Sequence, residues 1–320
     1  MTILVAVVVL LVLLIAGLVG FTAMTARKVE AALPPRGQFK AIDGGRIHYV
    51  DAGGAAPAVV MIHGLGGNLL HFDYALASRL AGDFRLILVD RPGSGYSTRT
   101  AGADASLTAQ AEAIAQLIRA LGLTRPLVVG HSLGGAVSLA LALDHPDCVG
   151  ALALIAPLTH AQELIPPIFR GLAVHSSLAR SIVAWTLATP LGIRASPATL
   201  KHAFAPEAVT PDFPVRAGGL LGLRPSAFYA ASSDLVAIND KLPDYMKRYP
   251  SLDIPLGVLF GRGDNLLDYR AHGEAMKACC PALDLELMDG GHMLPMTAPD
   301  RCAALIRRVA ARQPGVPQMA

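Results

Sequence analysis

The chain has 320 residues, 53% of them hydrophobic and 16% charged, with a formal net charge of +3 at pH 7. That composition excludes a disordered, solvating chain, and a small positive balance with no Lys/Arg-rich run excludes an electrostatic footprint for nucleic acid. Cys148, Cys279, Cys280 and Cys302 are too scattered for a disulfide framework, and without a Cys-x-x-Cys or His-Glu-x-x-His pattern zinc chemistry has no home here.

From Ile3 to Gly20 no charged residue occurs, and nearly every side chain is Val, Leu, Ile or Ala. At about 1.5 Å per residue this stretch spans roughly 27 Å as a helix, near the about 30 Å of a bilayer's hydrocarbon core. A cleaved signal would place positive charge before the apolar run and small residues at a cleavage site. Here only the α-amino group precedes it, and Ala23 with Thr25 make a poor site. The expectation is a membrane-anchor helix over residues 1–28, with a cleaved signal or a helix packed on the protein's own core as alternatives. Arg27, Lys28 and Arg36 on the C-terminal flank favour the cytoplasmic face for the rest of the chain. Residues 29–37, with Pro34-Pro35, read as a short stiff spacer.

Gly37 to Tyr49 then reads as two strands about an Asp43-Gly44-Gly45 turn. Val59 to Ile62 reads as a buried strand entering His63-Gly64, and Arg85 to Val89 as another entering Asp90-Arg91-Pro92-Gly93-Ser94-Gly95. Leu107 to Leu121 has helical spacing and stops at Gly122; Leu127 to Val129 is a third strand, followed by Gly130-His131-Ser132-Leu133-Gly134-Gly135 and an apolar helix, and Leu152 to Ile155 a fourth. Short apolar runs alternating with helices indicate a mostly parallel sheet covered on both faces. Between Pro157 and Pro255 the alternation lapses in a proline-rich stretch, with short helices expected at Leu172 to Leu187 and Ala227 to Ile238. Strands resume at Leu256 to Phe260 and Leu283 to Met288, and a last helix lies near Asp300 to Arg312. The reading is an α/β core over 38–157 and 255–320, interrupted by a helical insert over 158–254.

Gly130-His131-Ser132-Leu133-Gly134 fits Gly-x-Ser-x-Gly between a strand and a helix, a context in which a tight turn exposes the serine hydroxyl at a helix N-terminus. The plainer reading is a glycine-rich helix start with a capping serine. A serine hydroxyl needs a base within reach and a carboxylate to orient that base. Asp264 follows one strand and His292 the next, both at strand C-terminal ends, where sites in open α/β sheets collect. Asp268 is the competing carboxylate, and Asp289 sits too near His292 along one loop to be favoured.

His63-Gly64-Leu65-Gly66-Gly67, Asp90-Arg91-Pro92-Gly93-Ser94-Gly95-Tyr96-Ser97, the Ser132 turn, Gly261-Arg262-Gly263-Asp264 and Gly291-His292 stand in an order that resembles the α/β-hydrolase superfamily. The resemblance covers about residues 38–312 and is nearest to capped serine esterases and lipases. It implies Ser132 as nucleophile, Asp264 as orienting carboxylate, His292 as general base and the insert as a cap. It also implies the backbone N–H groups of Leu65 and Leu133 as the oxyanion hole, with no metal or organic cofactor.

The other signals receive structural readings. His131 is expected to pack or hydrogen-bond, His63 to fix the oxyanion loop, and Gly93-Ser94-Gly95 to form a turn near the pocket. Trp185 and its apolar neighbours are expected to pack the insert onto the core, with the lining of an acyl pocket as the alternative, and Cys279-Cys280 to remain free thiols, since neighbours bridge poorly. A serine at the elbow disfavours the members of this superfamily that use aspartate there. An insert rich in Ala, Leu, Pro and Phe, beside a membrane anchor, favours a small-molecule ester with an apolar, short- to medium-chain acyl group. A carbon–carbon bond hydrolase, which would want a cation such as Arg170, Arg180 or Arg194 for a substrate carboxylate, is the alternative, followed by a long-chain lipase and by a non-catalytic binding module. Oligomeric state stays open.

Overall fold

The computed structural model describes residues 2–54, 57–100, 102–162 and 165–314. Positions 1, 55–56, 101, 163–164 and 315–320 fall within the spans assigned above but outside the described residues. Nine strands form one sheet: β1 (Gln38–Ile42), β2 (Gly45–Asp51), β3 (Ala58–Ile62), β4 (Arg85–Val89), β5 (Thr98–Arg99), β6 (Leu127–His131), β7 (Ala151–Ile155), β8 (Leu256–Gly261) and β9 (Asp284–Met288). Their order is β1-β2-β4-β3-β6-β7-β8-β9, with β5 paired to β2. β1 and β2 form the expected hairpin, Ile42 opposite Gly45, with Gly44 at φ 75° in the turn. From β4 through β9 every pairing is parallel.

Strand side chains alternate between two cores, as a period of two requires. Val60, Ile62, Ile87, Val89, Leu152 and Leu154 enter one cluster with helices α2 (Leu107–Ala120) and α3 (Leu133–Asp144). Val59, Met61, Leu86, Leu88, Ala153 and Ile155 enter the other, whose helix Pro299–Ala310 contributes Leu305, Ile306 and Val309. The central strands are therefore apolar throughout because both faces are covered. Ser106 caps α2 by accepting the Ala109 N–H, and Gly122, at φ 63°, follows its end.

The first helix, α1, runs from Thr2 to Ala32, past the expected anchor and into the expected spacer. Nothing breaks a helix before Leu33, which precedes Pro34. Val29 and Leu33 bury against Leu221, with Tyr96 and Leu70 packed alongside, so residues 29–33 are a docked helix end and not a free spacer.

Three longer helices lie between β7 and β8: α4 (Ser177–Thr186), α5 (Ala188–Phe204) and α6 (Pro225–Arg248); the closing helix Pro299–Ala310 is α7. α5 has no counterpart in the sequence reading because Pro190, Gly192 and Pro197 interrupt its pattern. Pro190 stands in the first turn, where its missing N–H has no intrahelical partner to lose. α6 extends well past the expected Ile238: Ala231 and Leu235 face a cavity, while Leu242 and Tyr245 join the core beneath α2 and α3. Trp185 does not pack the insert onto the core. α4 turns Arg180, Ala184 and Thr186 inward, and Trp185, half a turn away, is left 46% exposed.

Candidate active site

Ser132 joins β6 to α3 with φ 55° and ψ −123°, a conformation a non-glycine residue adopts only under constraint. Three backbone bonds hold it: the Ser132 N–H donates to Ile155 O at 3.1 Å, and the Ser132 carbonyl accepts from Gly135 at 2.8 Å and Leu158 at 2.9 Å. The flanking glycines are required by close approach. A Cβ on Gly130 would lie 2.5 Å from Ser138 Oγ, and one on Gly134 would collide with the Ile62 and His63 carbonyls. The His63–Gly66 loop lies directly over the serine, since a Cβ on Gly64 would come within 3.3 Å of Ser132 Oγ.

Asp264 and His292 follow β8 and β9, as expected, and their side chains meet: His292 Nδ1–H donates to Asp264 Oδ2 at 2.7 Å. Asp264 Oδ1 accepts the N–H groups of Leu266 and Leu267 at 2.8 and 3.0 Å, so the carboxylate is fully buried yet fully engaged. Asp268 instead points outward, bonded to the Arg270 N–H. Ser132, His292, Leu65 and Leu133 line one cavity of about 610 Å³. Leu133 opens α3, so its N–H has no intrahelical acceptor, and the Leu65 N–H donates to no protein group among the described residues.

The loop over the serine is fixed from below. His63 Nδ1–H donates to Gly64 O at 2.8 Å, and Nε2 accepts the Arg91 N–H at 3.1 Å. Both nitrogens being committed, the ring is neutral, and burial followed by the nearby Arg91 charge holds its pKa well below the ordinary value. Arg91 is wholly buried: Nε donates to His63 O at 2.9 Å, Nη2 to Gly64 O at 3.0 Å, and Nη1 to Gln110 and to Asp234 Oδ2 on α6 at 2.7 Å. Arg99 takes the other Asp234 oxygen at 2.8 Å. The sequence reading missed this pair and missed Glu207, whose carboxylate accepts the Gly291 N–H at 3.1 Å and braces the turn carrying His292. Only Arg91 had a local signal, its place in the Asp90–Ser97 segment. That segment does not line the cavity but lies beside it, its Gly95 carbonyl accepting from Arg224 in the wall; Asp90 ties it together by accepting the Leu69 and Tyr96 N–H groups and the His48 ring N–H. His131 hydrogen-bonds as expected, donating from Nε2 to His292 O at 3.0 Å.

Several buried imidazoles make stability acid-sensitive. His272 Nδ1 accepts the backbone N–H groups of Thr159 and His160, and burial holds its pKa down to about 4. His131 is shifted the same way by burial. Above the ordinary value of 6.5 the imidazole is neutral in both states, so its contribution to stability is complete. Between 6.5 and about 4 the unfolded chain binds a proton that the fold refuses, so stability drains away as pH falls, by up to about 1.4 kcal/mol per pH unit for each such group. Urea midpoints measured from pH 7.5 down to 4.5 are expected to fall below about pH 6.5, and His272→Gln should flatten that decline. An unchanged midpoint across the range would contradict the neutral assignment.

Comparison with known proteins adds the family. A profile described as "alpha/beta hydrolase fold" matches residues 57–299. The dihydrolipoyllysine-residue acetyltransferase component of an acetoin cleaving system from Cupriavidus necator is 38% identical over 122 residues, a match covering 38% of this chain and only 32% of that protein. A protein named putative carbamate hydrolase RutD, from Enterobacter cloacae, is 29% identical over 256 residues, covering 78% of this chain and 90% of its own. The crystal structure of a bacterial membrane phospholipase A superposes with a TM-score of 0.65 at 22% identity, covering 97% of this chain and 99% of that one.

Proposed function

The chain belongs to the alpha/beta-hydrolase family, and from that premise we propose that it is a membrane-anchored serine hydrolase of carboxylic esters with apolar acyl groups. Ser132 attacks the ester carbonyl while His292 takes the hydroxyl proton; Asp264 orients the imidazole and stabilises the imidazolium. The N–H groups of Leu65 and Leu133 receive the negative charge that develops on the carbonyl oxygen. His292 then protonates the departing alcohol, and water, activated by the same imidazole, releases the acid and restores Ser132. Residues 158–254 act as a cap over this site, and residues 1–28 as the anchor.

The observation that carries the substrate class is the cavity lining. Ile165, Phe169, Leu172, Leu200, Phe204 and Phe228 surround the approach to Ser132. Among the described lining residues the sole formal charge is Arg224, and its guanidinium is occupied by Glu30 and the Gly95 and Leu221 carbonyls. Arg170, Arg180 and Arg194 do not line the cavity, and Arg180 is committed to Ser232 and the Val174 carbonyl. A carbon–carbon hydrolase acting on a carboxylated substrate would thus lack its cation among these residues. The RutD resemblance favours a second carbonyl substrate, a carbamate. The test is initial rates on p-nitrophenyl esters from acetate to palmitate, with a p-nitrophenyl carbamate alongside. The expected result is turnover peaking at short to medium acyl chains. A rate confined to the carbamate, or none on any ester, would overturn the ester assignment.

A further inference from the structure

We propose that the outer face of α4 and the start of α5 is a membrane-docking surface, seated in the interfacial layer of the bilayer that α1 enters, so that the cavity wall is one helix away from lipid. The proposal deepens the ester-hydrolase reading by naming the source of its substrate, a bilayer-dissolved ester, and it rests on that reading for this part alone.

Three observations meet here. The first is depth. About 30 Å of hydrocarbon takes about 20 helical residues, so a span starting at Ile3 reaches the headgroup boundary near Thr22. Ala23, Ala26 and Arg27 then stand in the headgroup layer, and it is these residues that share a crevice with Ser181, Ala184 and Trp185 of α4. Helix α1 thus packs against α4 at the height of the membrane surface, and Thr22 beside these residues is fully buried.

The second is the face itself. α4 carries its large apolar side chains on the outside. Inward it places Ala184 against α1 and α6; outward it presents Leu178 (70% exposed), Ile182 (56%) and Trp185, spaced at four and then three residues along one stripe. Leu187 and Leu191 (57%) extend the exposed apolar run to the start of α5, and Phe21 and Met24 are exposed on α1. Large apolar side chains left in water side by side mark an interaction surface, and a tryptophan among them suits the interfacial layer, where an apolar ring and a polar N–H are both satisfied. Arg27 and Lys28, exposed on the adjoining turn of α1, are placed to meet lipid phosphates.

The third is what lies behind the face. Leu187, just before α5, and Leu191 in it are exposed, while Ala188, Thr189 and Gly192 of α5 line the cavity that holds Ser132. An acyl chain leaving the bilayer here needs to pass only α5 to reach the site.

Trp185 is the only tryptophan in the chain and reports on the face directly. The full-length protein is reconstituted in phosphatidylcholine vesicles made with or without bromine on the acyl chains, and its tryptophan emission is compared. The expected result is strong quenching by brominated lipid, and Leu178→Ser/Ile182→Ser should lose most of it. That variant should hydrolyse a soluble p-nitrophenyl ester at the wild-type rate, yet hydrolyse an ester dissolved in the vesicles about tenfold more slowly. Protein that floats with the vesicles but is not quenched overturns the docking surface while leaving the anchor intact. Blue-shifted emission insensitive to bromine, with Leu178→Cys cross-linking between chains, would overturn it in favour of a second copy on this face. Protein that does not float overturns both anchor and docking. Absence of soluble-ester turnover in the wild type refutes the hydrolase reading and leaves the quenching result to stand or fall alone.

Discussion

Ser132→Ala is expected to abolish ester hydrolysis, lowering kcat by about 10⁴-fold or more, while leaving the unfolding midpoint nearly unchanged. The separation follows from the backbone. Alanine keeps the Cβ and hence the constraint at φ 55°, and the three backbone bonds through Ser132 do not involve its hydroxyl. Ser132→Gly carries the argument further. It should be as inactive as Ser132→Ala but more stable, by a part of the about 1–3 kcal/mol that a non-glycine residue loses in such a conformation. Asp264→Asn should approach the same loss of kcat, because an amide cannot hold the imidazole in the required tautomer, and combining it with Ser132→Ala should add almost nothing. Rates on a p-nitrophenyl ester with urea midpoints for each variant decide the matter. Retention of more than a few per cent of wild-type activity in Ser132→Ala would remove Ser132 from the reaction.

The second large effect belongs to the buried Arg91–Asp234–Arg99 bridge. Asp234→Leu leaves the fully buried Arg91 guanidinium without a counter-ion, and is expected to cost about 3–5 kcal/mol of stability. Arg91→Met should behave differently. Asp234 then keeps Arg99 at 2.8 Å, so the loss of stability is smaller, but the His63 and Gly64 carbonyls lose the guanidinium that pins them. The loop over Ser132 would relax, the Leu65 N–H would lose its aim, and kcat should fall by about 10²-fold, the scale of one misplaced oxyanion donor. Arg91→Lys can restore one of the two carbonyl bonds but not both, and should fall between. If Asp234→Leu folds as stably as the wild type, or if Arg91→Met leaves kcat untouched, the bridge has neither role.

These two predictions differ in how visible they were in the sequence. The Ser132 turn and Asp264 could be placed because each follows a strand buried along its whole length, which announces itself as an apolar run, and His292 because it follows β9, where Leu285 and Leu287 alternate with Asp284 and Glu286 at a strand's period of two. The Asp264–His292 hydrogen bond at 2.7 Å joins the ends of neighbouring parallel strands, a proximity that sheet order alone supplies. The Arg91–Asp234 pair joins residues with |i−j| of 143, one in a loop that reads as a turn and the other inside a polar helix, so no local pattern connects them. Helix α5 was hidden by its prolines, and β5 by having two residues. Trp185 misled because burial is the usual fate of a tryptophan in an apolar stretch. In α4 the interior is taken by Arg180, Ala184 and Thr186, and the tryptophan lies off that face.

The docked end of α1 bears on how the protein is prepared. A chain shortened to begin at Gln38, the first strand, would strip Val29 and Leu33 from Leu221, Leu70 and Tyr96. It would also deprive Arg224, the charged residue in the cavity wall, of Glu30, and deprive the Tyr96 hydroxyl of the Leu33 carbonyl. A chain begun at Thr22 keeps each of these contacts and discards the apolar span alone. The two truncations differ by only sixteen residues, yet only the longer one retains the native contacts of Arg224 in the cavity wall.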